Sequence, residues 1–285
     1  MPAPRRRGWA FSPLGFTRRV FIGAYDDQIL FLGSALTFDA LLAALPFALL
    51  LLAAFGYFVH SGDDAMADVL RVLDQILPQG SGGEGPLERA ERLITGLVDS
   101  RAELTIYGIP LFLWFATRFF SAVRSSLNEI FDTPETRSYL GGKGLDLFLV
   151  IVTLVLLVAN ALLTVIVASY PFIGRFVVGI STYVVGILLF YIVYTFAPTR
   201  TMRWDTAVVA AAVAALGFEI AKKLYSVYLT QFTTIDRLIS NANFIAILLL
   251  VVWIYFMACV FLLGGEVAET YDMARRQREQ RAILE

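Results

Sequence analysis

The sequence predicts an all-α fold, a polytopic membrane helix bundle with six transmembrane helices. Of the 285 residues, 58% are hydrophobic and 16% are charged, and the mean hydropathy is +0.70. An ordinary soluble domain carries roughly 25% charged residues. Apolar runs of about 20 residues, the length that crosses a hydrocarbon core of about 30 Å, recur along the chain. Backbone groups in lipid must form their hydrogen bonds within the segment, so these runs are helices.

Six segments fit this length. The predicted spans cover residues 29–59, 104–123, 147–170, 176–197, 206–228 and 243–265. Pro198 ends the fourth span, because the residue before a proline is driven out of the helical region. The predicted organisation is therefore a tail and interfacial segment at 1–28, a membrane domain at 29–267 and a second tail at 268–285.

The distribution of lysine and arginine predicts the orientation. With six spans, both termini lie on one side of the membrane, and that side carries fourteen basic residues against six on the other. Positive residues favour the cytoplasmic side. We therefore expect an inner-membrane protein with cytoplasmic N and C termini. Arg5, Arg6 and Arg7 are followed by no apolar run long enough for a signal peptide.

Residues 60–103 form the one long loop between spans, on the outer side, with nine acidic residues and four arginines. Two apolar stripes at helical spacing, one before Gly80 and one after Pro86, predict two amphipathic helices. Proline suits the first position of the second helix. The helices form either a packed cap on the bundle or a lid over a cavity.

Charges at membrane depth are the main candidates for function, because each costs about 2.5–3.5 kcal/mol on insertion scales and should face protein or water. Asp39 in the first span and Arg118 in the second lie at a similar predicted depth and carry opposite charges. We expect them to form an ion pair between the two spans. The alternative for Arg118 is that its side chain reaches back to the interface.

The fifth span carries Glu219, Lys222 and Lys223. Glu219 and Lys223 are four residues apart in the favourable order for a helical pair. Glu219 is the best candidate for a buried functional group, whereas the lysines can reach the outer interface. Glu266 closes the sixth span at its cytoplasmic edge. Elsewhere, Gly179 and Gly186 are spaced to permit close helix contact.

The residue inventory excludes several kinds of chemistry. One cysteine, Cys259, and one histidine, His60, cannot build a Cys/His metal cage. The glycines at 141–144 follow no strand and precede no Lys-Ser/Thr pair, so we interpret them as a flexible link into the third span rather than a phosphate loop. We expect no catalytic residues, metal site or cofactor, and therefore no enzyme. The net charge of −1 also argues against a nucleic-acid partner.

Four stretches between about residues 16 and 270 carry a family likeness, and their order along the chain is specific. They read ALTFDALL followed by LP at 35–46, RFFSAVRSSLNEI at 118–130, YTFAP continuing to EIAKKLYSVY at 194–228, and WIYF with LLGGE at 253–266. In this order the chain resembles the YihY/BrkB family of bacterial inner-membrane proteins, once labelled ribonuclease BN. The resemblance implies six spans, cytoplasmic termini and an inner-membrane location. The chain departs from the family at Phe38-Asp39, where members more often have two aromatic residues.

Two functional hypotheses follow. In the first, the protein is a transporter or flippase of an anionic lipid or other amphipathic substrate, and the intramembrane charges line its route. In the second, it is a non-transporting scaffold for envelope integrity, and the charges only determine helix pairing. Membrane lipids are the expected partners in both cases. The sequence does not decide whether the chain forms a homo-oligomer.

Overall fold

The computed structural model describes residues 13–61, 86–134, 137–168, 171–200, 202–232 and 242–284. Within these ranges the chain forms seven helices and no strand, which confirms the all-α prediction. The helices are α1 (Pro13–Asp26), α2 (Ile29–Ser61), α3 (Pro86–Ile130), α4 (Tyr139–Ala168), α5 (Pro171–Phe196), α6 (Trp204–Phe232) and α7 (Ala242–Leu284).

Five of the described helices are long and apolar enough to cross a membrane. Their candidate spans are Ile29–His60, Ile94–Ile130, Tyr139–Val167, Val177–Phe196 and Ile247–Gln277. The segment predicted as the fifth span is helical, as α6, but is not among these five. It carries Glu219, Lys222 and Lys223 in its second half. The predicted count of six spans is therefore not confirmed.

The predicted outer loop differs from the structure in its second half. α3 begins at Pro86, as the proline indicates, but continues unbroken for 45 residues, about 68 Å at 1.5 Å per residue. The second amphipathic helix is thus the first part of the helix that carries the second span. Its polar residues do not interrupt it, because the Thr95 and Thr105 hydroxyls donate to carbonyls four residues earlier, both at 2.8 Å. The first predicted amphipathic helix lies outside the described residues.

The chain divides into two compact units, one of residues 41–116 and one of 1–40 with 117–285. In the unit 41–116, the second half of α2 packs against the part of α3 that precedes residue 117. The Phe47 and Phe112 ring centroids lie 5.6 Å apart. Gly56 allows a close approach, since a Cβ there would lie 3.0 Å from the Leu97 carbonyl oxygen.

In the other unit, α6 packs on α5 and α7, α5 packs on α4, and α1 packs on α7. α6 turns a face of small residues toward this core, all at most 3% exposed: Ala207, Ala210, Ala211, Ala214 and Ala215. Such residues let helix backbones approach closely. α7 runs unbroken across the predicted tail boundary at residue 267, so that its second half, with α1, is continuous with the bundle.

Tyr194 holds α5 and α7 together. Its side chain is fully buried and its hydroxyl donates to the Phe261 carbonyl at 2.6 Å. The two rings stack with centroids 5.1 Å apart and 7° between their planes. Gly264, one turn further along α7, leaves room for the Tyr194 hydroxyl and for Ala214 of α6.

The glycines predicted to permit close contact do not have that role. Nothing lies within 4 Å of a Cβ built at Gly179 or Gly186. Their seven-residue spacing in α5 places them on one side of the helix, but that side is open.

Candidate functional site

An apolar cavity of about 250 Å³ lies in the unit 1–40 with 117–285. Six helices contribute to its wall, α2 to α7, and phenylalanine is the most frequent lining residue. Representative lining residues are Leu36 of α2, Phe120 of α3, Phe190 of α5, Phe218 of α6 and Phe261 of α7. Phe190 organises this aromatic wall, because its ring lies 4.8 Å from that of Phe218 and 6.0 Å from that of Phe261.

The predicted ion pair between Asp39 and Arg118 is present. Arg118 Nε donates to Asp39 Oδ1 at 2.8 Å. The Asp39 side chain is 12% exposed and the Arg118 side chain 55% exposed. Each residue is the chain neighbour of a residue that lines the apolar cavity, Ala40 and Phe119 respectively. Arg118 is therefore held by a carboxylate while its side chain stays half exposed, although neither Arg118 nor Asp39 lines the cavity itself.

Glu219 does not have the predicted surroundings. It pairs with Lys222, three residues on, rather than with Lys223. Its side chain is 37% exposed, and it lines neither this cavity nor the acidic one below. The expectation of a buried Glu219 paired with Lys223 is wrong, because this face of α6 points away from the core, and on such a face either lysine can reach the carboxylate.

A buried ion pair, missed from the sequence, joins α3 to α4. Arg124 Nε donates to Asp146 Oδ1 at 3.3 Å, and the side chains are 7% and 0% exposed. Lys143 Nζ lies 3.9 Å from the other Asp146 oxygen. The glycines at 141–144 are not a flexible link but the first turns of α4, and Arg124 lies over Gly142, where a Cβ would come within 2.9 Å of its Nη2. The sequence signal for this ion pair is Gly142, one helical turn before Asp146, because a residue without a side chain leaves space for the Arg124 guanidinium.

Three carboxylates from distant parts of the chain converge at α7. Asp27 lies in the turn between α1 and α2, and Glu266 and Glu269 lie one turn apart on α7. One oxygen from each lies within 4.8 Å of the others. Glu266 is 2% and Glu269 7% exposed. Only Glu266 was a candidate from the sequence, and the sequence analysis did not single out Asp27 or Glu269. We call these three residues the carboxylate cluster.

Local structure determines where the carboxylate cluster lies. Gln28 adopts a positive φ of 52°, which closes the turn after α1 and directs the chain into α2. Gly23 on α1 faces Glu266, and a Cβ there would lie 2.6 Å from Glu266 Cδ. The carboxylate of Glu266 thus occupies the space that the glycine leaves.

An acidic cavity of about 460 Å³ adjoins Asp27 and is lined also by Asp26 and Glu129. Burial raises the pKa of the Asp27 carboxyl above its ordinary value. The hydrogen bond with Glu266 opposes this rise, and the nearby charges of Asp132, Asp26 and Glu129 add to it. This cavity and the carboxylate cluster form one acidic region.

The fold and these sites define a helical membrane protein with charged groups inside its bundle. Residues 20–283 match the profile of the family described as virulence factor BrkB. The chain belongs to this family.

Two relatives are named as membrane proteins and a third as ribonuclease-like. The UPF0761 membrane protein of Cronobacter sakazakii is 25% identical, with 93% of this chain and 91% of the relative covered. YihY of Salmonella arizonae, also a UPF0761 membrane protein, is 28% identical over 66% of this chain and 67% of its own. YfkH of Bacillus subtilis, named ribonuclease-like, is 25% identical over 81% of this chain and 86% of its own. No solved structure matches the chain significantly.

Proposed function

We propose that this protein resides in the inner membrane with both termini in the cytoplasm and moves an anionic lipid, or a similar amphipathic substrate, between leaflets. The observation that carries the proposal is Arg118. Its cation is held by a contact with Asp39 and is half exposed, one residue along α3 from Phe119 in the aromatic wall of the cavity.

The two parts of the site suit the two parts of a lipid. A guanidinium has five donors in a planar fork and binds phosphate well, and the contact with Asp39 uses one of them. The apolar cavity of about 250 Å³ is below the range of about 300–1,000 Å³ for whole small-molecule sites. It accommodates a segment of an acyl chain rather than a complete lipid.

The test is reconstitution of the purified protein in liposomes that contain a fluorescent phosphatidylglycerol, with flipping read from reductant quenching. We expect faster flipping than in protein-free vesicles, and a loss of at least about tenfold in Arg118→Gln, since one charge-assisted hydrogen bond contributes about 1.5–3 kcal/mol. Lys223→Gln is the matched control, because Lys223 is an exposed cation on α6 that lines neither cavity. A fluorescent phosphatidylcholine should flip more slowly and respond less to Arg118→Gln.

The scaffold hypothesis stays as the second candidate, and ion pairing favours it. Asp39 with Arg118, and Glu219 with Lys222, are each satisfied within the chain, which is what a purely structural role requires. Flipping no faster than in protein-free vesicles, or equal flipping by wild type and Arg118→Gln, would leave the scaffold as the better account.

The number of spans decides the orientation. In a Cys259→Ala background, single cysteines at Pro4 and Gln280 can be labelled with a membrane-impermeant maleimide in intact spheroplasts and after lysis. We expect both to react only after lysis, because six spans return the chain to the cytoplasm. Five spans would place the two positions on opposite sides of the membrane. Reaction of one position in intact spheroplasts would therefore contradict the expected orientation.

We expect no ribonuclease activity, although YfkH carries a ribonuclease-like name. The chain has a single histidine, and the connection from α3 to α4 is too short for a catalytic domain. Purified protein incubated with RNA and Mg²⁺ or Mn²⁺ should leave it intact. RNA cleavage that disappears in Glu266→Gln would contradict this expectation.

A further inference from the structure

The carboxylate cluster places three acidic groups close together without a cationic partner. Among the described residues, the ion pairs found do not include Asp27, Glu266 or Glu269. Arg19 and Arg200, whose charges act on Glu269, each make a direct contact with another residue. Arg19 contacts the Met273 sulfur at 2.7 Å, and Arg200 pairs with Asp272. Like charges at this distance repel strongly in a buried setting, so the cluster must take up positive charge, either as a proton shared between Asp27 and Glu266 or as a bound cation.

A second observation points to the same need. Glu266 Oε2 is buried on a side chain that is 2% exposed, and it accepts no hydrogen bond. Buried acceptors are almost always satisfied, and an exception requires an explanation. Gly23 and Asp27 hold this carboxylate in place, so the free oxygen cannot easily turn toward another donor.

We propose that Asp27, Glu266 and Glu269 bind a hard divalent cation, Mg²⁺, Ca²⁺ or Mn²⁺. All three ligands are carboxylate oxygens, which these ions prefer, and no sulfur or imidazole is involved. The three oxygens lie within 4.8 Å of one another, and this limit is about twice a Ca²⁺–oxygen distance of about 2.4 Å. A cation therefore fits between the oxygens after small side-chain movements, with water completing its coordination.

The surroundings supply a route and a consequence. The acidic cavity of about 460 Å³ reaches Asp27, and its Asp26 and Glu129 attract cations. The bound ion joins the turn between α1 and α2 to the middle of α7. It would hold α1 against α7, where the two helices already pack. This inference is independent of lipid transport.

The first experiment measures binding to the full-length protein in detergent. Ca²⁺ binding is followed by calorimetry, Mn²⁺ binding by its electron paramagnetic resonance signal, and Tm by tryptophan fluorescence with divalent ion or EDTA. We expect saturable binding of one ion per chain and a higher Tm with the ion present. Absence of saturable binding of either ion up to about 10 mM, beyond the weakest calcium modules, would overturn the proposal.

The second experiment assigns the ligands. Asp27→Asn, Glu266→Gln and Glu269→Gln should each weaken binding by at least about tenfold. Glu279→Gln is the matched control, because Glu279 is exposed on the same helix and pairs with Arg275. Equal affinity in the wild type and in every ligand variant that folds, judged by gel filtration in EDTA, would also overturn the proposal.

A charge-neutral variant provides an independent check. In Gly23→Ala the new methyl group would overlap the Glu266 carboxylate and displace it, so affinity should fall although no charge is removed. Gly144→Ala is its control, since nothing lies within 4 Å of a Cβ there. Wild-type affinity in a folded Gly23→Ala protein would show that Glu266 is not a ligand.

Discussion

Gly264 tests whether the close approach of α5, α6 and α7 stabilises the bundle. The perturbation is Gly264→Ala. An added Cβ would overlap the Tyr194 hydroxyl, and would lie 2.8 Å from Ala214 Cβ and 3.2 Å from Tyr194 Cζ. Neither neighbour can move cheaply, because Tyr194 is 0% and Ala214 1% exposed and the hydroxyl donates to the Phe261 carbonyl.

Two terms set the magnitude. Overpacking a core costs about 1–3 kcal/mol, and alanine gains about 0.8–1.0 kcal/mol over glycine in a helix interior. The difference of these terms predicts that Gly264→Ala lowers the free energy of unfolding by up to about 2 kcal/mol. Gly186→Ala is the matched control, because it gains the helical term with nothing within 4 Å of the new methyl group, and it should be stabilising.

A double-mutant cycle identifies the contact. Tyr194→Phe removes the oxygen that the new methyl group meets, at a cost of about 0.5–1.5 kcal/mol for the lost hydrogen bond. In that background Gly264→Ala should cost about 1 kcal/mol less than in wild type. The assay is reversible unfolding in mixed micelles, followed by tryptophan fluorescence. Additive losses, or a Gly264→Ala protein as stable as Gly186→Ala, would refute the argument from packing.

Two ion pairs yield further predictions in the same assay. Asp39→Asn and Arg118→Gln should each destabilise the protein, and the double variant should lose less than the sum, with a coupling of about 1–2 kcal/mol; full additivity would mean that the 2.8 Å contact has no energetic role. Asp146→Asn should cost about 3–5 kcal/mol, because it leaves the buried Arg124 guanidinium without its carboxylate. A loss below about 1 kcal/mol would show that Arg124 is compensated by other groups.

Local patterns were sufficient for much of the fold. Hydropathy located the five helices that can cross a membrane, and α6 as a helix. The pairing of Asp39 with Arg118 was also predictable, because two opposite charges at one depth have few other partners in lipid. α6 marks the limit of this reasoning. The sequence correctly predicted that this segment is helical. Whether α6 crosses the membrane depends on the surroundings of Glu219, Lys222 and Lys223, which its composition alone does not determine.

The glycines show where local patterns fail. Gly179 and Gly186 have the spacing expected for helix contact yet face open space, whereas Gly23 and Gly264 have no such spacing and are tightly packed. A glycine permits close approach, but whether another chain segment is there depends on how the helices cross. For the same reason, the sequence did not predict that Gly142 packs beneath the Arg124 side chain.

The sequence by itself determined that this is a helical membrane protein of the BrkB family, since hydropathy and the order of motifs are properties of the chain alone. Only the tertiary structure decided which charges are buried together. Asp27 and Glu266 are separated by more than two hundred residues, and no periodicity relates them. They meet because Gln28 turns the chain after α1 and Gly23 leaves space for a carboxylate of α7. Burial and proximity are consequences of packing among distant segments, whereas hydropathy acts within each segment.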